Sequence, residues 1–432
     1  MKPSGTFEAL TRTLSPDTGP VWVHVGTLFC GRDASIWRDG HVVYDRTKIL
    51  HAGTTPPRPE LLKPSQTQPD AWLPDHTLLP GLIDSHTHLF LEGGEMDPQK
   101  RAHHLNRPAS ELLPLAEARL NRLVSLGIAA VREAGDKAQI GLSLQARWRS
   151  SRRGFMPYLD APGAAIHHRG RYGSFMALPM EDHGTPAATV QNRVAQGAHR
   201  IKLLATGIIN FEKGAVTAKP QMDAGELTAF VQASRALGKQ TMVHCSGRDG
   251  VENCLAARVD SIEHGYFVDD DQLSRMRDFN IAWVPTFAPV QFQVDHAKEL
   301  GWSDTIRDNL RRIVEGHARS LVRAAELGVR VVAGSDSGSH GVRHGWGFLE
   351  ELVLMQRAGL SATRVLHSAT GAAGDRLGFD ERIGALTPGA PARFILTLTR
   401  VLTDVAELQE AKCVIFDGTV HTRGDDASVP GL

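Results

Sequence analysis

No run of 18 apolar residues occurs in the 432-residue chain, so no membrane-spanning helix is expected. The opening MKPSGTFEALTRTLSPDTGP lacks the basic start, apolar stretch and small-residue cleavage site of a secretory signal. Cysteine is scarce: Cys30, Cys245, Cys254 and Cys413 are scattered, with no C-x-x-C pair. A disulfide framework is therefore not expected, and a cytoplasmic location is the default. An excess of one charge is also missing. Lys plus Arg is 48 and Asp plus Glu is 48, for a net charge of +0, which argues against a nucleic-acid or membrane-surface partner. No G-x-G-x-x-G follows an early strand, which removes the usual reason to expect an open, doubly wound dinucleotide-binding sheet. Histidine is abundant by contrast, at 20 residues. Neutral imidazole is the commonest metal ligand, so the count points toward metal chemistry without locating it.

The pattern along the chain divides in three. Residues 1–77 read as short strands and turns (VWVHVGTLF, GHVVYD), followed by a polar, proline-rich excursion over 52–76. From 78 to 375, apolar strand-like runs alternate with amphipathic helical stretches: LLPGLIDS, IAAVREAG, FMPYLDA, RIKLLAT, QTMVHC, VDSIEHG, IAWVPT and RVVAGSD. ASELLPLAEARLNRLVSLG, DAGELTAFVQASRALG and DNLRRIVEGHARSLVRAAELG are the clearest helices between them, the last two closing on a helix-stopping glycine. Eight βα units over this length predict an α/β fold with a (β/α)8 TIM barrel. Residues 376–432 return to short strands (ARFILTL, KCVIFDGTVH), so both chain ends together are expected to form a small accessory β-sandwich domain.

The chemistry concentrates at strand ends. Period two puts His86 and His88 of LIDSHTH on one face of the first barrel strand, where two imidazoles can grip one ion. Lys202 ends the apolar strand of RIKLLATG, His244 ends QTMVH, His264 ends SIEH and Asp336 ends VVAGSD. Barrel enzymes draw catalytic residues from several strands at this one face. Any one of these residues could be a satisfied core histidine or a capping aspartate, but six in this order at the ends of buried runs need a common explanation.

In these motifs the sequence resembles the amidohydrolase superfamily of metal-dependent hydrolases, over nearly the whole chain. PGLIDSHTH is similar to its first-strand motif, IKLLATG to its lysine strand, SIEHG to its sixth-strand histidine and AGSDSG to its eighth-strand aspartate. GFDERIGALTPGAPARFILTL is similar to the stretch that returns such chains to their accessory domain. IKLLATG and VDSIEHG most resemble the imidazolonepropionase-related members, including the Xaa-Pro dipeptidase (prolidase-like) branch. The resemblance implies a two-metal site, usually zinc. His86, His88 and Asp336 would hold one ion, His244 and His264 the other, and Lys202 would bridge them as a carbamate. Lys202 as the cation of a buried ion pair is the alternative, leaving a single ion on the histidines and Asp336. The implied reaction is attack of a metal-bound hydroxide on an amide carbonyl, with Asp336 moving the proton to the leaving nitrogen.

The expected substrate is a small molecule: a dipeptide or N-acyl amino acid first, a cyclic amide such as an imidazolone or a xenobiotic amide or carbamate second. The third-strand loop APGAAIHHRGRYGSF is rich in donors. His168, or His167 beside it, falls where relatives place a histidine against the substrate carbonyl, and Arg171 and Tyr172 are candidates for holding a carboxylate. His340 and His344 follow the eighth strand at the mouth, His340 as a further substrate contact. His103–His104 and RSSRR (149–153) read as solvated surface. A non-catalytic scaffold is the rival class, opposed by the complete ligand set; an iron-dependent oxidative enzyme lacks any second motif. A homo-oligomer is common among proteins of this kind.

Overall fold

The computed structural model describes residues 7–17, 19–151, 156–376, 382–410 and 412–422. Positions 378–381 of GFDERIGALTPG and the side chains of the 149–153 basic run lie outside the described residues.

The chain opens with β1 (Val21–Phe29), β2 (Ile36–Tyr44), β3 (Ile49–Gly53) and β4 (Ala71–Pro80). The interior contributes β5 (Leu82–Thr87), β6 (Ile128–Glu133), β7 (Tyr158–Asp160), β8 (Ala165–His167) and β9 (Ala177–Pro179). It continues through β10 (Ile201–Leu204), β11 (Thr241–Cys245), β12 (Ser261–His264) and β13 (Ala282–Val284). The chain closes with β14 (Arg393–Leu398), β15 (Cys413–Phe416) and β16 (Thr419–Thr422).

The two chain ends do share one sheet, in the order β16-β15-β14-β4-β1-β2-β3. Its ladder is continuous, so the expected sandwich is hydrogen-bonded as one seven-stranded sheet. The seam is the antiparallel pairing of β4 with β14, Leu79 opposite Ile395. Val21, Val23, Leu78, Phe394 and Ile415 are buried in its core. The proline-rich excursion ends earlier than its composition suggested: Ala71 onward is already strand, paired parallel to β1.

The interior strands form two parallel sheets, β5-β6-β7 and β13-β12-β11-β10-β8-β9, flanked by helices. Their residues are almost uniformly buried, as expected for strands covered on both faces. The strand register sets the site: Leu204 pairs with His244, and Cys245 with His264, so the ends of β10, β11 and β12 come level. The helices Ala224–Ala236 and Asp304–Leu327 fall where the periodicity predicts, the second closing on Gly328 at φ +81°.

RVVAGSD, expected as the eighth strand, is not a regular strand. Val331 bridges Trp283 of β13, and Ser337 bridges Thr87 of β5. Between them Ser85 N–H donates to the Ala333 carbonyl and Asp336 N–H to the His86 carbonyl. Two local features mark this stretch. Asp336 sits at φ +55°, outside strand geometry. Gly334 lies so close to β5 that a Cβ there would meet the His86 nitrogen at 2.9 Å. The segment nevertheless links both parallel sheets and carries Asp336 to His86.

Candidate metal centre

Six side chains read from the sequence converge at this level. His86 lies near the end of β5 and His88 just beyond it, with ring centroids 5.5 Å apart. The His264 ring is 4.9 Å from His86 and 4.5 Å from His244. Asp336 Oδ1 is 3.6 Å from His86 Nε2 and 3.4 Å from His88 Nε2. Lys202, second of the four residues of β10 rather than last, lines the same cavity. Ligand atoms of His86, His264 and Asp336, one from each, lie within 4.8 Å of one another. The resemblance instead grouped His264 with His244.

Supporting residues fix how these rings present themselves. His86 Nδ1 is 2.7 Å from Glu263 Oε2. An ionised carboxylate only accepts, so Nδ1 carries the proton and Nε2 keeps its lone pair. Glu263 is itself held by Arg132 at 3.2 Å and Ser261 Oγ at 2.5 Å, all buried. His264 Nδ1 meets Thr286 Oγ1 at 2.8 Å, His244 Nε2 lies 3.4 Å from the Gly207 carbonyl, and His344 Nε2 donates to the His88 carbonyl.

The electrostatics suit a cation. Burial, with the Lys202 charge adding to it, pushes His86 down to about 4 and His244 to about 3. Burial and the neighbouring rings hold His264 well below its ordinary value. All three are neutral at pH 7, as metal ligation requires. Burial also pulls Lys202 down to about 8, against the opposing pull of Glu263 and Asp336. Burial alone would raise Asp336, but His88 and His86 outweigh it and keep the carboxylate ionised. Glu263, despite its burial, is drawn down to about 2 by Arg132 and His86. The lone pair on His86 Nε2 is buried and has no hydrogen-bond partner among the described residues. It faces another acceptor, Asp336 Oδ1, at 3.6 Å. Two acceptors converging in a buried space are an arrangement that a divalent cation satisfies.

Sequence comparison matches residues 77–420 to the Amidohydrolase family. The chain belongs to that family. The family places it among enzymes that hydrolyse amide C–N bonds. An uncharacterized protein of Mycobacterium tuberculosis is 26% identical over 302 residues, 68% of this chain and 72% of its own. Ochratoxinase of Aspergillus niger is 22% identical over 404 residues, 82% of this chain and 79% of its own. In fold this amidohydrolase is similar to a Xaa-Pro dipeptidase crystallised with methionine, at a TM-score of 0.75 and 24% identity over 94% of this chain and 100% of that one.

The remaining residues read from the sequence part company. Tyr172 reaches the cavity, its ring 5.2 Å from that of His244, and His340 lines it too. His168 does not: Nδ1 meets Glu181 and Nε2 meets Glu226, each at 2.8 Å. His167 is buried outside the cavity lining. Arg171 is exposed and donates to the Lys219 carbonyl. His104, read as solvated, is buried and hydrogen-bonds the Phe90 carbonyl. Sequence reasoning missed Glu263 and Arg132, although they stand inside the strand motifs VDSIEHG and IAAVREAG. Two adjacent polar residues, Glu263 and His264, were the available signal.

Proposed function

We propose that this amidohydrolase cleaves the amide C–N bond of a small molecule using one or two divalent ions, zinc first, held by His86, His88, His244, His264 and Asp336. In this reading Lys202, as its carbamate, joins the two halves of the ligand set. Residues 78–375 close as a (β/α)8 barrel, with 1–77 and 376–432 as its accessory domain. The observation that carries the proposal is the buried His86–His264–Asp336 convergence, with the unpartnered Nε2 of His86 at its centre.

When bound, divalent cations supply a Lewis acid for the scissile carbonyl and acidify a coordinated water. The chain's own residues do the rest. Asp336, ionised at neutral pH, accepts the proton of the attacking water and returns it to the departing nitrogen. Burial raises the Tyr172 phenol, so it stays protonated and can donate a hydrogen bond to the carbonyl oxygen. Glu263, through His86, fixes which ring nitrogen faces the ions.

The deciding experiment combines elemental analysis with a screen of dipeptides, N-acyl amino acids and neutral amides. At least one equivalent of metal per chain is expected, with hydrolysis abolished by chelation and restored by zinc. Less than half an equivalent of metal and no turnover would favour the scaffold. For Lys202, a carbamate carbon resonance after labelling with 13C-bicarbonate is expected, and should vanish in Lys202→Met.

A further inference from the structure

The cavity over the cluster encloses about 290 Å³. Its walls above the ligands are apolar, with Leu91, Phe175, Met176, Ile208, Phe211 and Val290 prominent among them. The polar groups that share the lining, Ser246, Thr286, Gln293 and Ser339, are all neutral. Among the described residues, and outside the six of the cluster, the lining contains no arginine, lysine, aspartate or glutamate. His340 is the one further ionisable group besides the tyrosines. Burial lowers it, and its Nε2 is engaged by the Met96 carbonyl.

The cations of the third-strand loop are spent elsewhere. Arg171 donates to the Lys219 carbonyl, Arg169 pairs with Asp182, and His168 is held between Glu181 and Glu226. An anionic substituent placed above the cluster would therefore lose its hydration without gaining a cationic partner, a cost that grows steeply in an apolar enclosure. A neutral apolar substituent gains from the same walls. Ile208 is the sharpest sign. It lines the cavity yet is 60% exposed, so a ligand that covers it removes apolar surface from water.

Resting on the hydrolase reading above, we infer that this site takes uncharged amides flanked by aromatic or branched aliphatic groups and rejects those with a free carboxylate remote from the amide. Of the two residues expected to hold such a carboxylate, Arg171 is outside the cavity, and Tyr172, which lines it, brings no positive charge.

Three acetanilides test this: para-isopropyl, para-carboxamide and para-carboxylate. The substituents are close in shape, and each sits too far from the amide to reach the ligand cluster in the same pose. Binding to the zinc-loaded full-length protein is measured by calorimetry, and kcat/KM is measured in parallel. The isopropyl compound is expected to bind at least about 30-fold more tightly than the carboxylate, with the carboxamide between them. Ile208→Arg, at an exposed position that does not threaten the core, should narrow that gap at least about tenfold by pairing the carboxylate. Equal or tighter binding of the carboxylate, or binding of none of the three, overturns the inference, as does an unchanged gap in Ile208→Arg. A binding preference without any hydrolysis would sink the hydrolase reading and leave this one standing. Hydrolysis of all three with equal kcat/KM and equal affinity would do the reverse.

Discussion

Glu263 Oε2 lies 2.7 Å from His86 Nδ1, joining side chains 177 residues apart in a wholly buried contact. The carboxylate takes the one proton of the neutral ring, and Arg132 and Ser261 balance it from behind. The free lone pair of His86 is thereby aimed toward Asp336 and His264, where the proposed ion would sit. Such outer contacts preorganise a metal site, because the ring pays no reorientation cost on binding.

Glu263→Gln should therefore weaken metal binding by about 10–100-fold. It also strips Arg132 of its charge partner, which should cost about 3–5 kcal/mol of stability. Adding Arg132→Met removes the unpaired cation, so the double variant should regain stability without regaining metal affinity. Chelator competition and denaturant titration read the two effects separately. Unchanged metal affinity in Glu263→Gln would count against the role given to Glu263.

Asp336→Asn preserves shape and removes the proton acceptor. A fall in kcat of about 10²–10⁴ is expected, with at least half of the bound metal retained. Near-normal kcat would remove Asp336 from proton transfer.

Stability of the metal-free protein should fall on acidification. His86 is held at about 4 and His244 at about 3, both below the ordinary 6.5. Between those values the unfolded chain binds protons that the folded chain refuses, so stability drops as the pH drops. Each group contributes up to about 1.4 kcal/mol per pH unit. Glu263, held at about 2 against an ordinary 4.5, adds a second loss below pH 4.5. Urea midpoints should step down from about pH 7 to about pH 4. Asp84 and Glu351, which burial raises to about 7 and about 8, contribute with the opposite sign. The check is therefore made on His244→Asn: an acid-side loss as steep as in the unaltered protein would contradict a buried, neutral His244.

His168 sits between two carboxylates and is about a quarter exposed. Burial opposes its protonation, but Glu226 and Glu181 outweigh it and raise its pKa. The clamp stabilises fully below the ordinary histidine value and fades as pH rises through the raised one. Solvent screening limits its contribution to about 1 kcal/mol. His168→Ala should lower Tm slightly and kcat/KM by less than about tenfold. A loss of about 100-fold or more would place the imidazole against the substrate after all.

The metal-competent residues were legible because they obey local rules. His86 and His88 alternate with period two, and His244, His264 and Asp336 close apolar runs whose burial the composition already required. Glu263 was not legible as a partner of His86. Strict alternation puts it on the face opposite His264, but His264 adopts φ +68° and leaves strand geometry, so both side chains serve the site. The same left-handed turn at Asp336 hid the irregularity of RVVAGSD.

The sequence by itself determined the alternation of buried strands and helices, the accessory sheet shared by both ends, and the order of the metal-competent residues. These depend on periodicity and residue chemistry, which are local. Only the tertiary structure decided which residues of the 167–172 loop face the cavity, how Arg132 and Glu263 support His86, and that the described walls carry no acidic, lysine or arginine side chain beyond the cluster. Those outcomes depend on contacts between segments far apart in the chain, where a side chain's partner is set by packing and not by its neighbours in sequence.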